Sequence, residues 1–408
     1  MRLVFWGGAI AVGIVSVVFA WAAARMKAVF DFALFNPWFA LVLTPAGFVF
    51  CAWLARTVFA GSQGSGIPQA IAARQMQSDE KRSQLMSLKI TLGKILLTLV
   101  ALACGASIGR EGPTVQIGAA IMMRAAKFGG MGRERGLILA GSAAGVAAAF
   151  NTPLAGIVFA IEEMSRAFEQ RTSGYVLIAV ILAGLASLGL VGNYSYFGST
   201  NSMLIVTIDW VAVLVCGVAG GLLGALFARL VVRGTARFQA WTQPAPMKRA
   251  LMFAGACGLL VAVCGLISHG QTYGTGYSAA RLAVEGGTLN WSYAPLKFLA
   301  TVASSLSGIP GGLFAPTLSV GAGIGSIVGH LLGVHAMGAI VLLGMAAYFA
   351  GVVQAPITSF VIIGEMSNAN GMVIPLMIAA FIGYGISRAL QRESLYHALS
   401  RNFLEDAH

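Results

Sequence analysis

Long uncharged apolar segments recur along the chain, and short polar or charged stretches separate them. Runs without Asp, Glu, Lys or Arg include Leu3–Ala24, Phe39–Ala55, Tyr175–Gly192, Val211–Ala228, Ala250–Ser268, Met337–Val353 and Gly371–Ser387. Most are close to the roughly 20 residues that a helix needs to cross a bilayer. The pattern predicts about ten spanning or half-spanning helices. The first run is too long for a secretory signal and lacks a small-residue cleavage site, so we expect it to be a helix.

The composition supports the same class of protein. Of the 408 residues, 58% are hydrophobic and only 10% are charged, and the mean hydropathy is +0.82. A soluble domain cannot cover its surface with so few charges. We therefore predict an all-α, multi-pass integral membrane protein with membrane lipid around it.

The charges are unevenly placed. The net charge of +12 often indicates a nucleic-acid partner, but the basic residues cluster between apolar runs, at Arg74–Lys89, Arg124–Arg135, Arg229–Arg249 and Arg388–Arg401. This is the positive-inside pattern of membrane proteins, so no nucleic-acid partner is expected. The stretch Gly192–Trp210 has no Lys or Arg and is predicted to face away from the cytoplasm. Short loops favour a prokaryotic inner membrane.

The five cysteines lie singly in apolar runs, without metal-ligand spacing. We expect neither a disulfide framework, a metal site nor a cofactor.

The chain contains an internal repeat. A shift of 203 residues aligns Lys94 with Lys297, Pro113 with Pro316 and Glu162 with Glu365, together with many glycines, without a gap. Apolar composition alone would not match Lys, Pro and Glu at one constant offset. We predict one transport domain at 1–404, with repeats at about 1–200 and 205–404, and a polar tail at 405–408. Repeats of this kind are commonly inverted and bind substrate at their interface.

The segment Gly105–Gly118 places an Arg and a Glu among glycines in an otherwise apolar region. Charge at membrane depth indicates a functional site. Pro113 suits the first turn of a helix, and Gly112 would let an anion approach bare N–H groups. Gly308–Thr317 repeats the pattern, so two helix starts would converge on one site. The alternative is that these glycines only allow close helix packing, as in Gly217–Gly221.

Other polar positions each admit two interpretations. Ser65, in the break Gly64–Gln69, could cap a helix or offer its hydroxyl to a ligand. Glu111 could bind in the anion path or form a structural pair with Arg110. Glu162 has a repeat counterpart and is predicted to be scaffold, whereas Glu163 aligns with Met366 and is free for another task.

Two motifs resemble enzyme signatures. Gly105–Gly109 has the spacing of a hydrolase nucleophile elbow around Ser107, but no preceding strand is predicted. Gly93-Lys94 lacks the rest of a phosphate-binding loop, so we expect a structural or electrostatic role for Lys94. Neither motif makes an enzyme the favoured interpretation.

Three signatures together indicate a family. Gly-Ser-Gly-Ile-Pro at 64–68, Gly-Arg-Glu-Gly-Pro at 109–113 and Gly-Leu-Phe-Ala-Pro at 312–316 occur in the order found in the CLC family of chloride channels and chloride/proton antiporters. The sequence resembles this family from about residue 3 to residue 404.

The resemblance implies roles for individual residues. The anion site would contain the Ser65 hydroxyl, the Tyr396 phenol and backbone groups at the three helix starts. Those positions are Gly66, Ile67, Arg110, Glu111, Gly112, Leu313, Phe314 and Ala315. Glu111 would be the gate, leaving the anion path when protonated. Phe314 could instead be ordinary core, and Tyr396 could be an interfacial aromatic.

Glu163 would be the internal proton-transfer glutamate of the antiporters, a position that the family's channels typically fill with a nonacidic residue. The resemblance therefore favours exchange of chloride for protons by a homodimer, with a passive channel of the same fold as the alternative. Segments near 172–192 and 370–390 would form the dimer interface. Ser65 and the intact Gly-Arg-Glu-Gly-Pro motif are typical of chloride-selective members.

Three departures from the family pattern change lesser expectations. Gln69 stands where many members have Glu, and we expect it to alter cytoplasmic electrostatics more than the site. The chain begins directly with a spanning helix, and it ends soon after Tyr396. We therefore expect no nucleotide-sensing domains and no regulation by nucleotides.

Overall fold

The computed structural model shows a predominantly helical chain. It describes residues 2–130, 134–165, 170–192, 195–200, 202, 204, 207–334 and 336–405. Residues 131–133 of the predicted basic loop Arg124–Arg135, parts of Gly192–Trp210 and residues 406–408 of the predicted tail lie outside these ranges.

Eighteen α-helices lie in the described ranges. They are α1 Arg2–Ala33, α2 Ala40–Arg56, α3 Ile67–Gln75, α4 Asp79–Leu85, α5 Leu88–Ala103, α6 Glu111–Phe128, α7 Glu134–Phe150, α8 Pro153–Phe159, α9 Gln170–Val191, α10 Thr207–Thr242, α11 Pro246–Ile267, α12 Tyr277–Val284, α13 Tyr293–Leu306, α14 Phe314–Leu332, α15 Met337–Val353, α16 Pro356–Ser367, α17 Val373–Leu390 and α18 Leu395–Glu405. A π-helical turn, Ala160–Ser165, extends α8. The predicted fold class, an all-α membrane protein, is confirmed.

The helices are long and apolar enough for a multi-pass membrane protein. Within the described ranges, eight segments could cross a bilayer by length and composition, and three further apolar helices have 10–17 residues. This agrees with the predicted number of spanning and half-spanning segments. Many helices start at Pro or after a glycine with positive φ, which ends one helix and lets the next begin in a new direction.

One predicted boundary is wrong. The apolar run Val211–Ala228 was expected to end in a basic loop, Arg229–Arg249, but α10 continues to Thr242. Arg is a good helix former, and the first Pro after this run is Pro244, so nothing in the local sequence ends the helix earlier. The basic residues of this region therefore extend a helix beyond the apolar run.

The repeat predicted from the sequence is present in the backbone. Helices α6 and α8 begin at 111 and 153, and α14 and α16 begin at 314 and 356, which is an offset of 203 in both cases. Left-handed backbone recurs at equivalent positions, with φ of 82° at Gly105 and 77° at Gly308, and 57° at Asn151 and 60° at Gln354. The two halves therefore share one fold.

A pseudo-two-fold axis relates the halves. Gly109 and Gly312 are equivalent residues, and they form an antiparallel bridge in which each donates its N–H to the other's carbonyl, at 2.7 and 2.8 Å. The pairing of equivalent residues in an antiparallel bridge is the arrangement that a two-fold axis between the halves produces. The inverted orientation of the repeats in the membrane stays a prediction.

Glycine pairs allow the central helices to pack closely. Gly118 faces Gly141 between α6 and α7, and Gly321 faces Gly344 between α14 and α15; a Cβ at any of them would collide with the opposite carbonyl. The packing role proposed for Gly217 and Gly221 also holds, since they press on α17. The core therefore lies around α6, α7, α14 and α15, and the glycine-rich breaks lie where those helices start.

Candidate functional site

The three signature segments meet at one place in the fold. The Gly64 N–H donates to the Ile309 carbonyl at 3.2 Å, and the Gly311 N–H donates to the Gly64 carbonyl at 3.2 Å. The paired Gly109 and Gly312 hold the second and third segments together. These backbone bonds bring the starts of α3, α6 and α14 to a common centre.

Ser65 does not cap α3, so that alternative is wrong. Its side chain is buried, and its Oγ has no hydrogen-bond partner among the described residues. The cap is Gln69 instead, whose Oε1 accepts from the Gly66 N–H at 3.0 Å while its Nε2 donates to the Gln63 carbonyl. Gln69 thus has a structural role at the site itself, whereas the sequence predicted that it would mainly alter cytoplasmic electrostatics. The Ser65 hydroxyl remains available to a ligand.

Two glycines allow α3 and α6 to approach each other at Ser65. Gly66 has φ of 102°, and a Cβ on it would lie 2.6 Å from the Gly112 carbonyl. A Cβ on Gly112 would collide with the Ser65 Oγ and lie 2.6 Å from the Ser65 carbonyl. These glycines are therefore required by contact between the two motifs, which is more specific than general helix packing.

Helix α6 begins at Glu111, as the position of Pro113 predicted, with Arg110 as the N-cap residue. The Glu111 side chain is buried. Its Oε1 accepts from the Tyr196 hydroxyl at 3.1 Å and lies 3.8 Å from the Arg110 Nε, while its Oε2 has no hydrogen-bond partner among the described residues. Oε2 lies against Gly109, where a Cβ would collide with it.

Arg110 lies beside Glu111 but does not form a close salt bridge with it. Its Nη1 donates to the Ala20 carbonyl at 2.6 Å, and its guanidinium lies over the Tyr196 ring, with Cζ 5.5 Å from the ring centroid. The predicted structural pair of Arg110 with Glu111 is thus present, but at 3.8 Å it is longer than a charge-assisted hydrogen bond.

Helix α14 begins at Phe314, the repeat equivalent of Glu111. Leu313, Phe314 and Ala315 are all buried. N–H groups in the first turn of a helix have no partner within that helix, so α6 and α14 both direct free donors toward the centre. The Phe314 ring packs against Phe349, with centroids 4.7 Å apart. Phe314 is thus both a core aromatic and the start of a helix.

Tyr396, on α18, is fully buried. Its ring stacks on Phe314, with centroids 6.1 Å apart and an interplanar angle of 13°. Its hydroxyl lies beside Ser65 and near the carboxylates of Glu111 and Glu163, yet it has no hydrogen bond of good geometry within the described ranges. The interfacial-aromatic alternative is therefore wrong.

Two cavities approach this centre from opposite ends. One, of about 300 Å³, includes Arg56 and Ser65 in its lining. The other, of about 420 Å³, includes Lys27, Arg110 and Tyr196. Lys27 lies near the end of α1, and Arg56 lies at the end of α2, which returns through the fold. Residues 110–112 separate the cavities, because Arg110 lines one and Gly112 touches Ser65 in the other.

The paired carboxylates at 162 and 163 have different environments. Glu162 accepts the N–H groups of Ile357 and Thr358 at 3.0 and 2.6 Å, at the start of α16. Its counterpart Glu365 accepts those of Leu154 and Ala155 at 3.0 and 2.7 Å, at the start of α8. The predicted scaffold role of the symmetric glutamate is thus visible as reciprocal caps.

Glu163 caps no helix in this arrangement. It lies in the π-helical turn and is 1% exposed, with its Oε1 3.3 Å from the His397 Nδ1. A π-helical turn rotates neighbouring side chains off the ordinary helical register, so Glu163 points elsewhere than Glu162. It faces α18, the helix that carries Tyr396.

The buried lysines are equivalent structural donors. The Lys94 ammonium donates to the carbonyls of Gln63 and Gly64, at 3.4 and 3.1 Å. Lys297 donates to those of Thr272 and Gly274, at 2.9 and 2.7 Å. The structural role expected for Lys94 is therefore observed, and its amine lies directly behind the Ser65 loop.

Ser107 is placed as a packing residue. Its Oγ is 3.0 Å from the Thr301 Oγ1, and its N–H donates to the Ser304 Oγ at 3.1 Å. Neither partner can act as the general base that a nucleophilic serine needs, so the hydrolase alternative gains no support.

Sequence reasoning missed two residues at the site. Tyr196 lies in a connecting segment, and His397 follows Tyr396 on α18; each contacts a glutamate from a distant part of the chain. The signal that the sequence gives near Tyr196 is the lack of Lys and Arg in Gly192–Trp210. Contacts between residues 85 and 234 positions apart leave no periodic signal in the sequence.

Comparison with known families gives a direct assignment. Residues 47–388 match the model of a family described as voltage gated chloride channel. This chain belongs to the CLC family. The match covers most of the chain, including all three signatures, α6, α14 and the reciprocal glutamate caps.

Curated CLC relatives include proteins of several bacteria. A putative chloride channel protein, ClcB-like, of Ralstonia nicotianae is 30% identical over 94% of this chain and 90% of its own length. The H+/Cl− exchange transporter ClcA of Yersinia pestis is 30% identical over 88% of this chain and 78% of its own. These names describe both channels and exchangers.

Solved CLC structures share the fold. The crystal structure of a slow cyanobacterial Cl−/H+ antiporter matches with a TM-score of 0.83 and 20% identity, covering 100% of this chain and 98% of its own. A CLC-type fluoride/proton antiporter matches with a TM-score of 0.83 and 22% identity, over 97% of this chain and 96% of its own. The integral membrane CLC architecture of this chain is therefore established.

Proposed function

We propose that this protein exchanges chloride for protons across a bacterial inner membrane. The observation that carries the proposal is a cluster of buried polar groups around the Tyr396 hydroxyl. It contains Glu111, Glu163 and the hydroxyls of Ser65 and Tyr396, which have no hydrogen-bond partner among the described residues. An anion path and a proton path would share Glu111 and separate toward Ser65 and Glu163.

The anion would be held by neutral donors. The hydroxyls of Ser65 and Tyr396 would donate to one halide, together with the first N–H groups of α3, α6 and α14 at Ile67, Gly112, Phe314 and Ala315. The Gly66 N–H, which the sequence also placed in the site, is bonded to the Gln69 Oε1 instead. Helix starts favour negative charge. Without a full positive charge in direct contact, binding stays weak enough to permit release. Arg110, which lies 3.8 Å from Glu111, would raise the local potential without contacting the anion.

Glu111 would act as the gate. Its carboxylate and a chloride compete for the same donors at the start of α6, so occupancy by one excludes the other. Protonation removes the negative charge and with it the attraction to those donors. Glu111 would then leave the path, carry its proton toward the cavity that contains Lys27 and Arg110, and admit an anion.

Glu163 would carry protons on the cytoplasmic side. It is buried, caps no helix, and lies near the basic segment Arg388–Arg401, which the positive-inside rule places in the cytoplasm. A buried carboxylate at this position can bind and release one proton without entering the anion path. Proton movement therefore reaches the centre by a route separate from the cavity that contains Ser65.

We propose a homodimer surrounded by lipid, as the family resemblance implies. The exposed apolar side chains of α9 and α17, including Leu177, Ile181, Leu185, Ile374 and Phe381, would form the interface or face lipid. Each subunit contains both glutamates and both cavities, so each would transport independently.

A passive chloride channel of the same fold is the second candidate, because one relative carries a channel name. The test is proton movement in chloride-loaded liposomes that contain the purified protein, with the membrane potential clamped by a potassium ionophore. Exchange predicts uphill proton movement driven by chloride, lost in Glu163→Gln with chloride flux retained. Chloride flux without coupled proton movement would establish the channel instead.

A further inference from the structure

A histidine contacts the buried carboxylate of Glu163. His397 follows Tyr396 on α18, and its Nδ1 lies 3.3 Å from the Glu163 Oε1 and 3.1 Å from the Ser394 Oγ. A titratable ring therefore occupies the position next to the glutamate that the proposed cycle uses for protons. The anion site and the gate do not account for this residue.

The pair spans the boundary between the protein interior and its surface. The Glu163 side chain is 2% exposed, whereas the His397 side chain is 12% exposed. His397 thus touches both a nearly buried carboxylate and the surface of a helix beside the basic C-terminal segment. A cavity of about 510 Å³ also reaches Glu163, from the side of α16 and α17, where Arg388 lines it. An imidazole changes its protonation state in the physiological pH range, which makes it suited to shuttle protons.

The charged groups around His397 come from several elements. On α3, the Arg74 guanidinium donates to the Met164 carbonyl and the Ser165 Oγ, at 2.9 and 3.0 Å. Glu162, beside Glu163, is committed to α16. On α18 and just before it, Arg401 pairs with Glu393 at 2.6 Å.

The remaining neighbours of α18 contribute little charge near the ring. On α10, the Arg229 Nη2 donates to the Leu390 carbonyl at 2.6 Å. Helix α15 carries Tyr348 but no Asp, Glu, Lys, Arg or His. Glu163 is thus the carboxylate in contact with His397, and each of the basic groups named here has a bond to another group.

We propose that His397 is the proton donor and acceptor that connects Glu163 to the cytoplasm, an inference that rests on the proposed role of Glu163. Neutral His397 takes a proton from cytoplasmic water and becomes an imidazolium. Its Nδ1–H then transfers the proton to the Glu163 Oε1, which leaves a neutral ring and a neutral carboxylic acid. Release of a proton to the cytoplasm follows the same steps in reverse.

Ser394 helps to fix the orientation of the His397 ring. Its hydroxyl can accept from Nδ1–H when that nitrogen is protonated and can donate to Nδ1 when it is not. The ring therefore keeps a hydrogen-bond partner in both states and holds its orientation toward Glu163. Efficient proton transfer needs this kind of fixed geometry within hydrogen-bond reach.

The test compares wild type, Glu163→Gln, His397→Asn and His269→Gln in the same liposomes, with chloride flux and proton flux measured together over a range of pH. Asn keeps a hydrogen-bonding amide near the Nδ1 position but cannot carry a proton. His397→Asn should lower proton flux by about tenfold or more, with chloride flux within about twofold, and should change the dependence of proton flux on cytoplasmic pH. His269 is exposed and lies in the turn after α11, so His269→Gln should behave like wild type.

The outcomes separate this inference from the proposed function. If wild type moves no protons, both fail. Suppose that wild type couples the two fluxes and that Glu163→Gln uncouples them. If His397→Asn then keeps full proton flux, only the proposed relay is overturned, and His397 has no more than a structural role beside Glu163. Retained chloride flux shows that each variant is folded.

Discussion

At the scale of single residues, the two oxygens of Glu111 have different surroundings. Oε1 is held by the Tyr196 hydroxyl, while Oε2 lies against Gly109 without a donor among the described residues. A buried carboxylate with one satisfied oxygen is less stable than a fully bonded one, because unpaired polar atoms carry a desolvation cost. The observed position of Glu111 therefore depends on Tyr196.

Tyr196→Phe tests that dependence. Losing one hydrogen bond to a carboxylate weakens the hold on Glu111, and we expect chloride flux to rise by up to about tenfold. Tyr277→Phe is the matched control, because Tyr277 belongs to the same aromatic cluster, with centroids 5.2 Å from Tyr196, and lines the same cavity. Equal flux in the two variants would show that Tyr196 does not hold the gate.

Gly112 is the second residue whose role is decided by a close contact. In Gly112→Ala, the new Cβ would push against Ser65 and separate α3 from α6, so we expect chloride binding to fall by at least about tenfold. Isothermal titration of the purified protein with chloride measures this directly. Gly385→Ala is the control, because its Cβ would meet nothing within 4 Å. Unchanged chloride affinity in Gly112→Ala would remove Ser65 from the proposed site.

At the scale of elements, α8 and α16 hold each other through their glutamates. The carboxylate at the end of each helix satisfies two N–H groups at the start of the other, which links the two repeats by charge-assisted bonds. A helix start with a carboxylate partner is also favoured by the helix dipole. This pair of caps explains why Glu162 is symmetric and Glu163 is not.

Glu162→Gln and Glu365→Gln should therefore destabilise the protein equally. We expect each to lower the free energy of unfolding by about 1–3 kcal/mol, observed as a reduced Tm in detergent. Glu163→Gln should change Tm less, because Glu163 contacts one side chain rather than two backbone N–H groups. A larger loss of Tm in Glu163→Gln than in either capping variant would contradict this division of roles.

At the scale of the whole molecule, cavities at opposite ends of the fold meet at residues 110–112. Arg56 lines the cavity that contains Ser65, and its Cζ lies 5.9 Å from the centre of the Phe238 ring. Its charge raises the local concentration of anions in a space of about 300 Å³, since a cleft lined by one sign of charge attracts counter-ions.

Arg56→Gln should weaken chloride entry from the cytoplasmic side. We expect the apparent KM for chloride on that side to rise about threefold to tenfold, with a smaller effect at high ionic strength because salt screens the charge. Initial flux rates at varied internal chloride measure it. Lys248→Gln removes an exposed basic residue outside this lining and serves as the control. A change in KM of the same size in both variants would show that Arg56 acts only through net charge.

The sequence by itself determined the membrane class and the repeat, and it named most of the residues of the proposed site. Apolar runs, Gly-Pro breaks and one constant offset are local or periodic signals, and they placed Glu111, Phe314 and Glu162 at equivalent or contrasting positions. The apolar run alone did not locate the end of α10, because the basic residues after it also favour a helix. Local sequence also could not decide whether Ser65 was a cap.

The tertiary structure decided which groups meet. Gln69, not Ser65, satisfies the start of α3; Tyr396 is buried against Phe314; and Tyr196 and His397 reach the two glutamates from remote segments. These pairings depend on how the helices cross in space. The spacing of residues along one sequence does not show which helices cross. The sequence therefore identified candidate residues for the proposed site, and the fold decided which side chains hold each buried carboxylate.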